Sequence, residues 1–364
     1  MEETIHIQEK INRYYKPIES SVSGGPNTRY KSWEWCHKAF LKEKRKRKKG
    51  QDPDYDLLSL HLAFYLASWG MYRGSTFLLQ RDYKAHERVV KEVLDPRYEP
   101  LWDFDPSKGD ANIVEANHLL FDDAEGIYWK IRESYQCSND DIPDIEESDI
   151  GGDDATDTLV TKILMGTFAC IPAFDRFLKK GIGTYNAALK GMSKKNNNDG
   201  DKGDKPKKLT QAIVKTTKKV NSNGTEEETL TGTDSFMALA ELVKTNPDEF
   251  KLKKSNGKVN TLYPPMKCVD MYFWQIGFEM ELAKALTDSK KSIDVRKKLC
   301  DKAVKMELIE DESNKEELKN FSNFKNDKDK VTEFFEKVKG EIEERNRRPN
   351  SEKNKASRGE TAKP

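Results

Sequence analysis

Apolar residues recur at helical spacing along most of the chain, and alternation with a period of two is scarce. Val331, Phe334, Phe335, Val338 and Ile342 fall at i, i+3, i+4, i+7 and i+11, with Glu and Lys on the other face. That spacing predicts an amphipathic helix near the C-terminus. Ile113, Leu120, Ala124, Ile127 and Ile131 predict a second helix, behind Asp110 as its N-cap. Met271, Trp274, Phe278 and Leu282 predict a third, announced by Pro264 and Pro265 and leading into the helix formers Ala283 to Leu286. Leu57 to Leu66 is apolar on nearly every face, which predicts a helix surrounded by others at the centre of the fold. Gly70 and Gly74, one turn apart, either let another backbone come close or end that helix.

Between these stripes lie segments too polar to join a core. Lys42 to Lys49 carries seven basic residues in eight positions, and Asn139 to Asp157 carries nine acids and no base. Residues 193–232 are rich in Lys, Asn, Asp, Thr and Gly, although Leu209 to Val214 has the composition of a short helix. From Arg345 to Pro364 seven basic residues face two acids, the pattern of a mobile tail. The expected fold class is therefore mainly α. It is a single multi-helix globular domain with core parts at 1–192 and 233–344, a lysine-rich insertion at 193–232 and a disordered basic tail at 345–364. No repeat of fixed period is visible, which removes solenoid architectures.

Charge and cysteine content narrow the functional classes. A formal net charge of +1 over 364 residues gives no global commitment to nucleic acid or to an anionic membrane, so any basic surface must be local. The five cysteines, Cys36, Cys137, Cys170, Cys268 and Cys300, are odd in number and lack zinc-ligand spacing. They read as reduced, mostly buried thiols of a cytoplasmic protein. The first residues carry Glu2, Glu3, Glu9 and Lys10 where a secretion signal needs an apolar run. Leu57 to Leu79 is long enough to span a bilayer, but it includes His61, Ser68, Gly70, Arg73, Gly74 and Ser75, and an arginine near mid-bilayer costs roughly 3 kcal/mol, so no membrane partner is expected.

No phosphate-cradling glycine loop, nucleophile elbow, kinase signature or zinc-protease helix occurs, and the five histidines stand apart from one another. Three stretches remain as candidates. In Ala67-Ser-Trp-Gly-Met-Tyr-Arg-Gly-Ser75, Trp69 and Tyr72 can stack on a base while Arg73 grips a phosphate; equally, Arg73 can pair with a buried carboxylate while the rings only pack. In Thr161 to Arg176, a buried helix over Thr161 to Cys170 is broken by Ile171-Pro172. Asp175 then opens the next helix, either capping free amides or facing a cavity as a base, with Arg176 beside it. In Tyr263 to Gly277, Lys267, Asp270 and Trp274 share one helical face, as an exposed ion pair or as a charge pair beside an indole. Gln275, an amide among Phe273, Trp274 and Ile276, needs a partner, and a base edge is one.

The order of a lysine opening a helix, a proline-containing break and an aspartate opening the next helix resembles the corresponding stretch of the helix-hairpin-helix DNA glycosylases. The resemblance covers about residues 149–176, with Asp149-Ile-Gly-Gly-Asp-Asp154 in the place of the glycine-rich hairpin. It implies that Asp175 activates water or stabilises the oxocarbenium ion as a flipped base leaves its sugar, and that Lys162 is the helix-opening lysine. It implies DNA as partner and chemistry that needs neither metal nor cofactor. The alternative is a non-enzymatic helical module that binds nucleic acid or protein through aromatic and basic surfaces.

Overall fold

The computed structural model describes residues 7–22, 24–25, 28–74, 76–122, 125–136, 155–196, 209–220, 226–232, 234–254 and 256–346; for 190–196, 214–220 and 226–232 this is the backbone alone. The chain is mainly α, as its periodicity predicts. Its described helices are α1 (Ile7–Glu19), α2 (Ser32–Arg47), α3 (Tyr55–Ser68), α4 (Glu87–Val93), α5 (Asp110–Phe121), α6 (Ile127–Glu133), α7 (Asp157–Gly166), α8 (Arg176–Asn196), α9 (Ser235–Thr245), α10 (Pro265–Leu286), α11 (Ile293–Lys305), α12 (Glu312–Lys319) and α13 (Lys328–Arg345). Short polar side chains start several of them: Asp54, Thr156, Ser292 and Asp327 each accept a backbone N–H of the first turn.

The helices group into two compact units, each assembled from separated stretches of chain. One comprises Met1–Tyr14, Arg176–Leu209 and Met271–Pro364; the other comprises Tyr15–Asp175 and Thr210–Asp270.

In the first unit the predicted C-terminal stripe is the buried face of α13. Val331, Phe334, Phe335, Val338 and Ile342 pack with Leu282, Leu286, Cys300, Leu318 and Phe321 from α10 to α12 and their connections. Helices α8 and α10 cross at Gly181 and Gly277. A Cβ on Gly181 would lie 2.0 Å from the Phe273 carbonyl oxygen, and one on Gly277 would lie 1.9 Å from that of Phe177. Only hydrogen fits at both positions, so the two backbones touch.

The structure revises five expectations, all but Leu209 in the second unit. The helix enclosed on all sides is α7, in which every residue from Leu159 to Gly166 is buried. Helix α3 buries Leu58, Leu62, Tyr65 and Leu66 but leaves Leu57, Leu60 and Phe64 exposed. A sequence apolar on nearly every face thus ends up half covered, because packing reaches only one side of it. The stripe behind Asp110 is two helices, α5 and α6, with Ile113, Leu120, Ile127 and Ile131 buried, whereas Ala124 lies outside the described residues. Gly109, at φ +109°, is the N-cap there, and Asp110 is the first helical residue. Helix α7 ends at Gly166 rather than running to Cys170, since Thr167 leaves helical backbone at φ −102°, ψ −82° and Ala169 turns to φ +57°; a side chain on Gly166 would meet the Tyr65 ring at 2.4 Å. Residues 209–213 form no helix; Leu209 and Ile213 are buried, and the chain continues into an antiparallel hairpin, β1 (Val214–Val220) paired with β2 (Glu226–Gly232).

Gly70 and Gly74 both take positive φ, +76° and +69°. Gly70 ends α3: its N–H bonds to the Ala67 carbonyl at 3.0 Å and that of Met71 reaches Leu66 at 2.9 Å, the paired pattern of a glycine-terminated helix. The Asp149–Asp154 hairpin, the acidic run through residue 154, Cys137 and the tail beyond residue 346 lie outside the described residues. No described helix is long and apolar enough to cross a membrane.

Candidate functional site

The second unit holds the stretch on which the candidates converge. Between α7 and Arg176 the chain runs irregularly through residues 167–175, and residues 167–174 are buried. Buried irregular backbone needs partners for its polar groups, and side chains supply them. Trp33 Nε1–H donates to the Met165 carbonyl at 2.8 Å, and the His37 Nδ1–H donates to the Thr167 carbonyl at 2.6 Å. Thr161 Oγ1 accepts the Phe174 N–H at 2.9 Å, and Thr158 Oγ1 donates to the Phe174 carbonyl at 3.1 Å. Asp270 Oδ1 accepts the Ala173 N–H at 3.0 Å. The connection is held from three sides by α2, α7 and the start of α10.

On this frame sits the pair that the resemblance singles out. Lys162 and Asp175 lie 13 positions apart, and the lysine Nζ reaches the aspartate Oδ2 at 3.1 Å. The ammonium also lies 5.2 Å from the centroid of the Trp69 ring. Lys162 is buried and Asp175 is partly open, with 15 % of its side chain exposed. Lys162 does not open a helix; it is the sixth residue of α7, which starts at Asp157. Tyr30 meets Trp69 edge-on at 5.4 Å, and the exposed Arg29 guanidinium lies 5.0 Å from the Tyr30 ring centroid. A chain of contacts thus runs from Asp175 through Lys162, Trp69 and Tyr30 to Arg29.

A second ion pair backs the connection. Lys267 and Asp270, expected as either an exposed pair or a charge pair beside an indole, are both buried and 2.7 Å apart. The Lys267 ammonium lies 5.0 Å from the Trp33 ring centroid, and Trp33 stacks on His37 at 5.0 Å. Burial, opposed by the Thr167 hydrogen bond and aided by nearby Lys267, lowers the His37 pKa to about 4. Burial also raises the Tyr65 hydroxyl well above its usual value, helped by the charges of Asp270 and Asp175. Tyr65 was missed by sequence reasoning, yet it precedes Trp69 by one turn of α3 and so shares its face.

The other candidates have other surroundings. Tyr72 donates to or accepts from His86 Nε2 at 2.6 Å, and His86 Nδ1 meets the Tyr135 hydroxyl at 2.6 Å, a chain of three rings that runs from half-buried Tyr72 to buried His86 and Tyr135. Burial lowers the His86 pKa to about 4, so its ring is neutral near pH 7. Arg73 is exposed and has no ion pair among the described residues. A Cβ on Gly70 would lie 2.9 Å from its Cζ, so that glycine is where the guanidinium folds back.

Arg176, Trp274 and Gln275 belong to the first unit. Arg176 places its guanidinium 4.7 Å from the Phe177 ring centroid. Trp274 is buried, stacked on Phe278 at 5.2 Å and edge-on to Tyr14 and Phe177. The Gln275 amide donates to Glu279 Oε1 at 2.8 Å, so its partner is a buried carboxylate one turn along α10. Glu279 also receives Lys10 at 2.5 Å and Arg13 at 3.0 Å. Burial pushes its carboxyl up, but the two cations outweigh that and hold its pKa at about 2.

Among the described residues no group of three His, Cys, Asp or Glu is placed to hold a metal. Cys36, Cys170, Cys268 and Cys300 are buried free thiols. No protein-family profile, curated protein or solved structure matches this chain.

Proposed function

We propose that the protein acts on DNA as a glycosylase-like enzyme that removes a damaged or modified base by hydrolysis of its N-glycosidic bond. The observation that carries this reading is the meeting of Lys162 and Asp175 beside the Trp69 ring, at the edge of a connection fixed by four side-chain hydrogen bonds. An acid that attends a developing oxocarbenium ion has to be rigidly placed, and preorganisation of this kind lowers the barrier. In the proposed step the bond from C1′ to the base nitrogen breaks, with its electron pair leaving on the base. A water oxygen bonds to C1′ and its proton passes to Asp175. Lys162 is a positioning residue that fixes the carboxylate. Arg73 supplies a phosphate contact, and Trp69 and Tyr30 supply rings near the extruded nucleotide.

The test is incubation with duplexes carrying unmodified, damaged and hypermodified bases, then alkali to cleave abasic sites. Strand breaks that disappear in Asp175→Asn support the reading. A second reading, a non-enzymatic binding module, is favoured by the exposed apolar row on α3; salt-sensitive binding without breaks on any substrate would select it.

A further inference from the structure

Helices α2 and α3 pack against each other, and their outward faces carry two different rows. On α3, Leu57, Leu60, His61 and Phe64 stand at i, i+3, i+4 and i+7; Leu60 is 50 % and Phe64 58 % exposed. On α2, Trp35, Lys38, Lys42 and Arg45 stand at i, i+3, i+7 and i+10, and Trp35 is 58 % exposed. Trp35, Leu60, His61 and Phe64 line an open concavity of about 340 Å³.

Leaving such a row in water forgoes hydrophobic stabilisation, and clustered exposure of this kind marks an interaction surface. The charges on α2 say what covers it. In the basic run, Lys44, Lys46, Arg47 and Lys48 are tied to Glu43, Glu99 or Asp103. Lys38 pairs with Glu34. Lys42 and Arg45 are exposed and have no ion pair among the described residues.

We propose that this groove receives an acidic amphipathic helix of a partner protein. Its apolar residues at i, i+3 and i+7 would lie on Leu57, Leu60 and Phe64, and its Asp or Glu flank would lie along Lys42 and Arg45. From Trp35 to Arg45 the α2 row spans about 15 Å, so three turns of partner helix suffice. A nucleic-acid strand fits less well: Leu57 and Leu60 offer no ring for stacking, and the Lys38 ammonium sits 5.8 Å from the centroid of the Trp35 ring.

The test uses the full chain and three labelled probes read by fluorescence anisotropy. These are a helical peptide with leucines at i, i+3 and i+7 and glutamate flanks, the same peptide with lysine flanks, and a single-stranded oligonucleotide. The glutamate peptide is expected to bind, and Lys42→Glu with Arg45→Glu to weaken it at least about tenfold, a loss of about 1.4 kcal/mol. Leu60→Ser with Phe64→Ser, whose exposed sites leave folding intact, should weaken it equally, while the lysine peptide stays unbound. Equal binding of both peptides overturns the proposal. So does oligonucleotide binding that vanishes in the Lys42→Glu, Arg45→Glu variant while neither peptide binds, or no binding of the glutamate peptide at about 1 mM. None of these side chains takes part in the proposed excision, so base release by the same variants separates failure here from failure of that reading.

Discussion

Each of the two units buries a carboxylate among cations, and the two clusters do different work. In the first unit Glu279 lies fully buried on α10 and takes Lys10 and Arg13 from α1, with Gln275 completing its shell. Lys10 also donates to Asn346, just past α13, so one carboxylate ties three helices together. In the second unit Asp270 pairs with Lys267 and Asp175 with Lys162, and their setting is an irregular connection rather than a helix crossing. A carboxylate inside a helix crossing can be fully enclosed, since the helices satisfy their own backbones. One beside an irregular connection must share its oxygens with backbone N–H groups, as Asp270 does with Ala173. The first arrangement is expected to govern stability, the second to shape a site.

The largest effect should come from Glu279→Leu, which strands the buried Lys10 ammonium. A loss of about 3–5 kcal/mol is expected in urea unfolding, with much of it recovered in the double variant Lys10→Met, Glu279→Leu. Failure of the second substitution to recover stability would show that the pair is not the binding element of this crossing.

Acid should separate the units in the same sense. His37 and His86, both in the second unit, have folded pKa values near 4, below the ordinary value of about 6.5. The unfolded chain then binds more protons across that interval. Their stabilisation is complete above pH 6.5 and lost as pH falls towards 4, by about 3 kcal/mol each at full effect. Glu279, at about 2 in the folded state, keeps its contribution above its ordinary value near 4.5 and loses it only as pH falls towards 2. Amide exchange followed from pH 7 to 3 should therefore open the second unit first. Loss of protection in the first unit at higher pH would break the comparison.

A smaller effect is expected from Asp270→Asn. The amide oxygen still accepts the Ala173 N–H, but the charge opposite Lys267 is gone, so about 2 kcal/mol should be lost. Proteolysis within residues 167–175 is the local readout; an unchanged cleavage pattern would mean that the connection is held without Asp270.

How far the sequence discloses this arrangement depends on sequence separation. Helix α13 is fully legible, because its core face and its polar face alternate within a few residues. Gln275 and Glu279 stand at i and i+4, so their contact was available from spacing; Lys10 and Glu279, 269 positions apart, carry no local signal. Lys267 and Asp270 are readable as a pair, but their burial depends on what packs over them. The one-sided burial of α3 is hidden because an apolar face looks the same in sequence whether a neighbouring helix covers it or not. The β1–β2 hairpin is hidden because its strands, rich in Lys, Thr and Glu, lack a two-residue apolar rhythm. Of the site, Asp175 is legible from the Ile171-Pro172 break before it, Lys162 through the resemblance and Trp69 through its place at the end of α3. Tyr65 and Trp33 read as core residues until their surroundings are known.

The measurement that bears most directly on the proposed activity is single-turnover base excision by wild type and Asp175→Asn, with thermal unfolding followed on the same samples. Asp175→Asn leaves the buried Lys162 ammonium an amide oxygen to bond but no countercharge, so a loss of about 2 kcal/mol is expected. The account predicts excision by the wild type and at least a hundredfold slower release by the variant, roughly 2.7 kcal/mol of barrier, with the variant still folded at the assay temperature. Equal rates for the two proteins, or no excision by the wild type on any duplex, would contradict it.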